Sequence, residues 1–146
     1  MKEKVLLGMS GGVDSSAAAV LLQEQGYAVS GLHLSLLSGL PLPADRLPDD
    51  GSDARAVASL LGLPFYDMDL SPEFRATVID YFIREYEAGR TPNPCVFCNR
   101  RIKFGAMWDA AQKLGADYLA TGHYAKIRQD PATGRHLLCR GADPSK

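Results

Sequence analysis

The sequence predicts an α/β domain: a doubly wound, mostly parallel sheet with helices on both faces, ending in a β-hairpin. Three observations carry that expectation. Apolar runs of strand type alternate with helical periodicities, glycines fall where the helices should stop, and the first strand breaks into a glycine-rich turn that opens a helix. At 146 residues the chain fits one domain, large enough to bury roughly two-thirds of its unfolded surface.

The elements follow in order. Val5-Leu6-Leu7-Gly8-Met9 reads as a buried strand, and Ser10-Gly11-Gly12-Val13-Asp14-Ser15-Ser16 turns directly into a helix. Asp14, Ser15 and Ser16 supply capping chemistry, residues 17–25 are strong helix formers, and Gly26 stands at the C′ position. Residues 27–34 alternate into a second strand, 52–61 form a helix closed by Gly62, and 64–70 form a third strand. Ser71-Pro72-Glu73 offers an N-cap, a proline at N1 and an acidic first turn. Phe74, Val78, Tyr81, Phe82 and Tyr86 then mark an apolar face read as core, with Gly89 as the stop. Residues 99–114 form another helix ending at Gly115, 117–121 a short strand, and 126–140 a hairpin around Asp130-Pro131-Ala132-Thr133-Gly134. In such a βαβ arrangement the site lies at the carboxyl ends of the strands. Residues 35–51, with Pro41, Pro43, Pro48, Asp45, Asp49 and Asp50, form a long connection that is either an active-site flap or simply mobile.

Composition excludes several classes. Sixteen Lys and Arg oppose seventeen Asp and Glu, so there is no overall basic footprint and any RNA contact must be local. Between Arg84 and Lys103 the balance is locally positive: Arg84, Arg90, Arg100, Arg101 and Lys103 against Glu85 and Glu87. That cluster either faces phosphates or is a solvated helix face. No apolar run approaches the length of a membrane span and the N-terminus begins a strand, so a soluble, cytoplasmic protein without membrane partners is expected. Three cysteines, two of them in CxxC, do not make a disulfide framework and point to thiols used for chemistry or metal.

Two motifs carry chemistry. The glycine pair of the first turn lets successive N–H groups and the following helix N-terminus converge on an anion. It is neither GxxxxGK[ST] nor GxGxxG, and it contains no lysine. SGGxDS resembles the pyrophosphate loop of the ATP pyrophosphatases, which cleave between the α- and β-phosphates and transfer AMP. The second motif is Thr91-Pro92-Asn93-Pro94-Cys95-Val96-Phe97-Cys98-Asn99. Its prolines restrain the backbone where Cys98 meets a helix start, and that dipole with Arg100, Arg101 and Lys103 favours a thiolate nucleophile. The competing readings are buried thiols packed as small hydrophobes, and a metal site, for which only Cys139 and three histidines remain as further ligands.

Taken with Ile102-Lys103-Phe104-Gly105 and Ala120-Thr121-Gly122-His123-Tyr124-Ala125, these motifs resemble bacterial tRNA-specific 2-thiouridylases. The resemblance covers essentially the whole chain but only the amino-terminal portion of that family, whose members are more than twice as long. It implies a Rossmann-like PP-loop ATP pyrophosphatase domain over residues 1–146, truncated before the family's tRNA-binding and carboxyl-terminal β domains. It implies ATP and Mg2+ as cofactors, and as partners tRNA for Lys, Glu and Gln and a persulfide sulfur-relay donor protein. The implied reaction adenylates the C2 oxygen of the wobble uridine and then replaces it with sulfur from a cysteine persulfide; this chain would bind ATP without completing thiolation.

By motif position, the resemblance implies that Gly8, Met9, Ser10, Gly11, Gly12, Val13, Asp14 and Ser15 hold the ATP phosphates, that Leu34 lies near the adenine, and that Gly122 contacts the nucleotide. The resemblance likewise implies that Asn93, Pro94, Cys95 and Lys146 meet the target base or tRNA and that Cys98 corresponds to the first catalytic cysteine. The second, persulfide-bearing cysteine lies downstream of this chain, and a disulfide bond is among the family's expected features.

Three departures stand out. Cys95 replaces the Asp of many members, Leu34-Ser35 replaces a Met-Lys pair, and the chain ends at Pro144-Ser145-Lys146 where the family continues. Asp14 is placed to orient the loop or to ligate magnesium through water, alongside helix capping. His123 either approaches the ligands or is structural; His33 and His136 carry no motif. Two alternatives remain open: another ATP pyrophosphatase, of tRNA-sulfurating or amidotransferase type, and a noncatalytic iron–sulfur or zinc module using Cys95, Cys98 and Cys139.

Overall fold

The computed structural model describes residues 2–39 and 51–143. The connection carrying Pro41, Pro43, Pro48, Asp45, Asp49 and Asp50, and the end of the chain including Lys146, lie outside the described residues. Strands β1 (Lys4–Gly8), β2 (Ala28–Ser35), β3 (Phe65–Asp69) and β4 (Tyr118–Thr121) form a wholly parallel sheet in the order β3-β2-β1-β4. A separate antiparallel hairpin pairs β5 (Ala125–Gln129) with β6 (His136–Arg140). The chain runs outward from β1 to β3 and then returns to the far side of β1, so the winding reverses between β1 and β4.

Alternation along β1 sorts the core into two layers, as a sheet covered on both faces requires. Leu7 and Met9 face α1 (Val13–Glu24) and α2 (Ser52–Leu60), meeting Ala19, Ala54 and Ala58. Leu6 and Leu32 face the opposite way, onto Met107, Ala110 and Ala111. Small residues on the helices let them lie close against the larger strand side chains. Gly26, Gly62, Gly89 and Gly115 all adopt positive φ just past helix ends, as the sequence predicts.

The two remaining helices depart from expectation. Helix α3 runs through Ser71–Phe74, a π-helical stretch Arg75–Ile79 and Asp80–Glu87. Its entry is held by Asp69, whose carboxylate accepts from the Ser71 N–H and hydroxyl, bonds that keep its pKa below the usual value. Ser71 is therefore inside the helix and does not cap it. The predicted apolar face is only partly core. Val78 is buried and Phe74 and Tyr81 are half-buried, but Phe82 is 40% and Tyr86 57% exposed. A π-helical turn takes an extra residue per hydrogen-bonded ring, which shifts the phase of an i, i+4 stripe and carries the later aromatics off the packed face.

Helix α4 starts five residues before the predicted position 99. It consists of Pro94–Phe97, a π-helical Cys98–Ala106 and Met107–Lys113 in unbroken succession. Pro94 occupies the first turn, where a missing N–H costs nothing. Cys98 consequently lies one turn inside the helix instead of at its start. In α1, Gly12 is the N-cap residue and makes no side-chain cap; the Ser15 and Ser16 hydroxyls instead donate back to the Gly12 carbonyl at 3.1 and 2.8 Å.

Candidate functional site

The reversal of winding between β1 and β4 opens a crevice at the carboxyl ends of the strands, the position where parallel α/β sheets bind ligands. A cleft of about 380 Å³ lies there. Of the residues predicted for ATP, Gly8, Met9, Ser10, Asp14, Ser15, Leu34 and Gly122 line it. Gly11, Gly12 and Val13 form the turn behind them and are not among the lining residues.

The turn is held in shape from several sides. The Ser10 N–H donates to the Ser15 hydroxyl at 3.3 Å, folding the loop over the first turn of α1. Gly11 has φ +78°, and a Cβ there would stand 2.6 Å from the Asp53 Cβ and 2.7 Å from the Ala54 nitrogen at the start of α2. Gly122, following β4, would place a Cβ 2.9 Å from the Ser15 nitrogen. The Tyr124 hydroxyl donates to the Asp14 carboxylate at 2.8 Å, tying the exit of β4 to the start of α1. These contacts bring the α1 N-terminus, with its intrahelically unpartnered N–H groups, to the rim of the cleft.

Among the further lining residues are Lys103, His123 and His33, none of which the motifs assign to ATP. Lys103 reaches the cleft from α4, the helix that also carries Cys98; it supplies the cation that the glycine turn lacks. In the sequence Lys103 belongs to the IKFG motif, stands near Cys98, and is part of the positive cluster that either faces phosphates or is a solvated helix face. His123 lines the cleft with Nδ1 at 2.8 Å from the Thr121 hydroxyl and its ring 5.7 Å from that of Phe104. His33 is buried, with Nδ1 at 3.3 Å from Asp67, and Asp67 also accepts from Arg55 at 3.1 Å and from the Ser35 hydroxyl at 3.2 Å. Only the β2–β3 register, which sets His33 opposite Asp67, reveals that group.

The cysteine segment stands beside the cleft and does not line it. Asn93 and Cys95 are exposed and Pro94 is half-buried. Cys98 packs at the edge of the cluster of Leu70, Val78 and Ile102, which also includes Leu34 and Leu36, two residues that line the cleft. The expected thiolate is not what this environment favours. Burial pushes the Cys98 thiol above its ordinary value, the Lys103 charge pulls it down, and the neighbouring Cys95 pushes it up again. Desolvation outweighs the positive charge because Cys98 lies inside the helix, away from the dipole end that was to lower it.

Cys95, Cys98 and Cys139 are free thiols, and no disulfide joins any two of them. Among the described residues no three His, Cys, Asp or Glu side chains gather into a metal site. In a Cys95→Ser, Cys139→Ser background, alkylation of Cys98 by iodoacetamide should be slow at neutral pH. It should keep accelerating above the pH at which an exposed thiol levels off. An inflection at or below the value for free cysteine in the pH–rate profile would contradict that environment.

Comparison with known proteins now decides the family. The tRNA methyl transferase HUP domain profile matches residues 3–146. The chain belongs to this HUP-domain family. It is 47% identical over 154 aligned residues to tRNA-specific 2-thiouridylase MnmA of Clostridioides difficile, covering 100% of this chain and 42% of that protein. It is 50% identical over 153 residues to MnmA of Heliobacterium modesticaldum, covering 100% of this chain and 39% of that protein. The chain thus spans about two-fifths of the length of these relatives. Among solved structures, the U34-tRNA thiolase NcsA of Methanococcus maripaludis with its [4Fe-4S] cluster superposes with a TM-score of 0.61 at 25% identity, over 84% of this chain and 39% of that one. A predicted tRNA methyltransferase subunit of Methanocaldococcus jannaschii, at 21% identity and a TM-score of 0.51 over 91% of this chain and 57% of that one, shares the fold. No helix among the described residues of this HUP domain is long and apolar enough to cross a membrane.

Proposed function

We propose that the chain binds ATP in the β1–β4 cleft and uses it to adenylate the C2 oxygen of a tRNA wobble uridine, the first half of 2-thiolation. The observation that carries this reading is the convergence of the glycine turn, the α1 N-terminus and Lys103 on one cleft. In the step proposed, the uridine oxygen bonds to the α-phosphorus, the bond to the β-phosphate breaks, and pyrophosphate leaves with the charge that develops there. Donors fixed in advance at the helix N-terminus and at Lys103 stabilise that charge without reorganising. The terminal sulfur of a donor persulfide then bonds to C2 and AMP departs with the former uridine oxygen; the remaining S–S bond breaks when the Cys98 thiolate attacks the carrier's inner sulfur, leaving a disulfide between Cys98 and the carrier and the thiocarbonyl on C2.

Asn93, Pro94 and Cys95 would meet the base, and Cys98 would serve the sulfur step after losing its proton. Lysine, glutamate and glutamine tRNAs, a sulfur-relay protein and a cytoplasmic setting complete the proposal. Among the described residues Asp14 is the one carboxylate lining the cleft. That suits Mg2+, which is held by one or two carboxylates plus substrate phosphates and keeps several waters; with Asp14 it would neutralise phosphate charge. Calorimetric titration of the folded chain with Mg-ATP should show saturable binding, and no heat of binding would sink the nucleotide site. Radiolabel from α-labelled ATP should pass to tRNA carrying uridine at the wobble position; equal labelling of a cytidine-substituted tRNA would refute the target.

A further inference from the structure

Beside the cysteine segment, α3 and α4 each present an aromatic side chain to the other. The Tyr81 ring of α3 lies 4.3 Å from that of Phe97 in α4, tilted by 34°. Phe97 is 39% exposed although it immediately precedes the half-buried Cys98, and its neighbour Val96 is 59% exposed. Arg84 lies one turn along α3 from Tyr81, and Arg100 and Arg101 follow Phe97 by one turn of α4. All three arginines are exposed, and among the described residues none takes part in an ion pair. The bidentate Arg90–Glu85 pair, at 2.6 and 2.7 Å, engages the carboxylate next to Arg84. An accessible aromatic pair flanked by unpaired guanidinium groups is complementary to an unstacked base between two phosphates. An apolar protein segment would leave the three arginines unmatched.

We propose that Tyr81 and Phe97 form a stacking platform for the nucleotide adjoining the target uridine, with Arg84, Arg100 and Arg101 on its phosphates. The proposal rests on the tRNA-thiolation reading and adds to it the residues that hold the flanking base. It assigns the platform a positioning role: it fixes the RNA so that the target base falls at the Asn93–Cys98 segment.

The test uses fluorescence anisotropy of a labelled anticodon stem-loop RNA with the whole chain. Phe97→Ala and Tyr81→Ala should each weaken binding roughly 5- to 100-fold, the range for loss of one stacked base, while Phe97→Tyr and Tyr81→Phe stay near the unmodified chain. Removing the base next to the target uridine should weaken binding to the unmodified chain similarly and have no further effect on Phe97→Ala, a coupling that a purely structural role would not produce. Arg100→Gln and Arg101→Gln should each reduce the salt slope by about 1. Phe82→Ala, on the other flank of α3, should change nothing.

ATP binding serves as the folding control; if Phe97→Ala loses it, Phe97→Leu keeps the bulk without the aromatic face and should show the same loss of RNA affinity. Unchanged affinity in the aromatic variants, or an equal loss on intact and base-deleted RNA, overturns the platform. The thiolation reading survives that outcome if the unmodified chain still adenylates tRNA. Binding of ATP with no RNA binding at all overturns both.

Discussion

A Gly11→Ala variant is expected to lose roughly 2–5 kcal/mol of stability. About 1–2 kcal/mol comes from forcing a Cβ into left-handed backbone, and about 1–3 kcal/mol from overpacking against atoms that cannot rotate away. The added carbon would meet the Asp53 Cβ at 2.6 Å and the Ala54 nitrogen at 2.7 Å, so either the turn or the start of α2 must move. For a domain of this size the melting temperature should fall by on the order of 10 °C. Gly26→Ala isolates the first effect: its φ is +91°, yet nothing lies within 4 Å of the new carbon, so only the backbone cost of about 1–2 kcal/mol should appear. Equal melting temperatures for the two variants would show that contact with α2 does not constrain the turn. Gly11→Ala should also weaken ATP binding in whatever protein remains folded, because the donors of the turn are displaced with it.

Lys103→Met should weaken ATP binding about 10- to 100-fold, as expected when one charge-assisted hydrogen bond worth roughly 1.5–3 kcal/mol is lost. Lys103 is half-buried and, among the described residues, is the one Lys or Arg that lines the cleft. Lys103→Arg should restore part of the affinity, since the charge returns on a longer and flatter group. The same Lys103→Met substitution should push the Cys98 thiol further up, because Lys103 is what pulls it down. Calorimetry and the alkylation profile of Cys98 read the two effects separately. Unaltered ATP affinity would remove Lys103 from the phosphate site.

The parallel sheet and the glycine stops were legible because each rests on a local rule. An apolar strand followed by a glycine turn and a helix needs only near neighbours to be recognised, and four helix ends are marked by glycines with positive φ. What was illegible depends on phase and on contacts far apart in sequence. The π-helical stretches at Arg75–Ile79 and Cys98–Ala106 carry no residue pattern that announces them, yet they turn Phe82 and Tyr86 outward and leave Cys98 within a continuous helix. Two prolines before Cys98 suggested a helix beginning at Asn99, whereas Pro94 itself fits the first turn. The ATP assignment by motif found the turn, Leu34 and Gly122. It missed Lys103, which is distant in sequence and enters the cleft only because α4 crosses the sheet beside β1 and β4.

Helix α4 carries both Lys103 and Cys98 on one continuous helix, so a single cation faces two potential anions. A bound triphosphate would claim that cation and screen it from the thiol; once the phosphates leave, its pull on Cys98 returns. In the proposed reaction the nucleotide would thereby time the sulfur chemistry. Cys98 should be least acidic with ATP in the cleft and most acidic after pyrophosphate has gone, and its alkylation should slow on adding ATP and recover when ATP is removed. The clock in such a cycle is a shared charge, with no moving part.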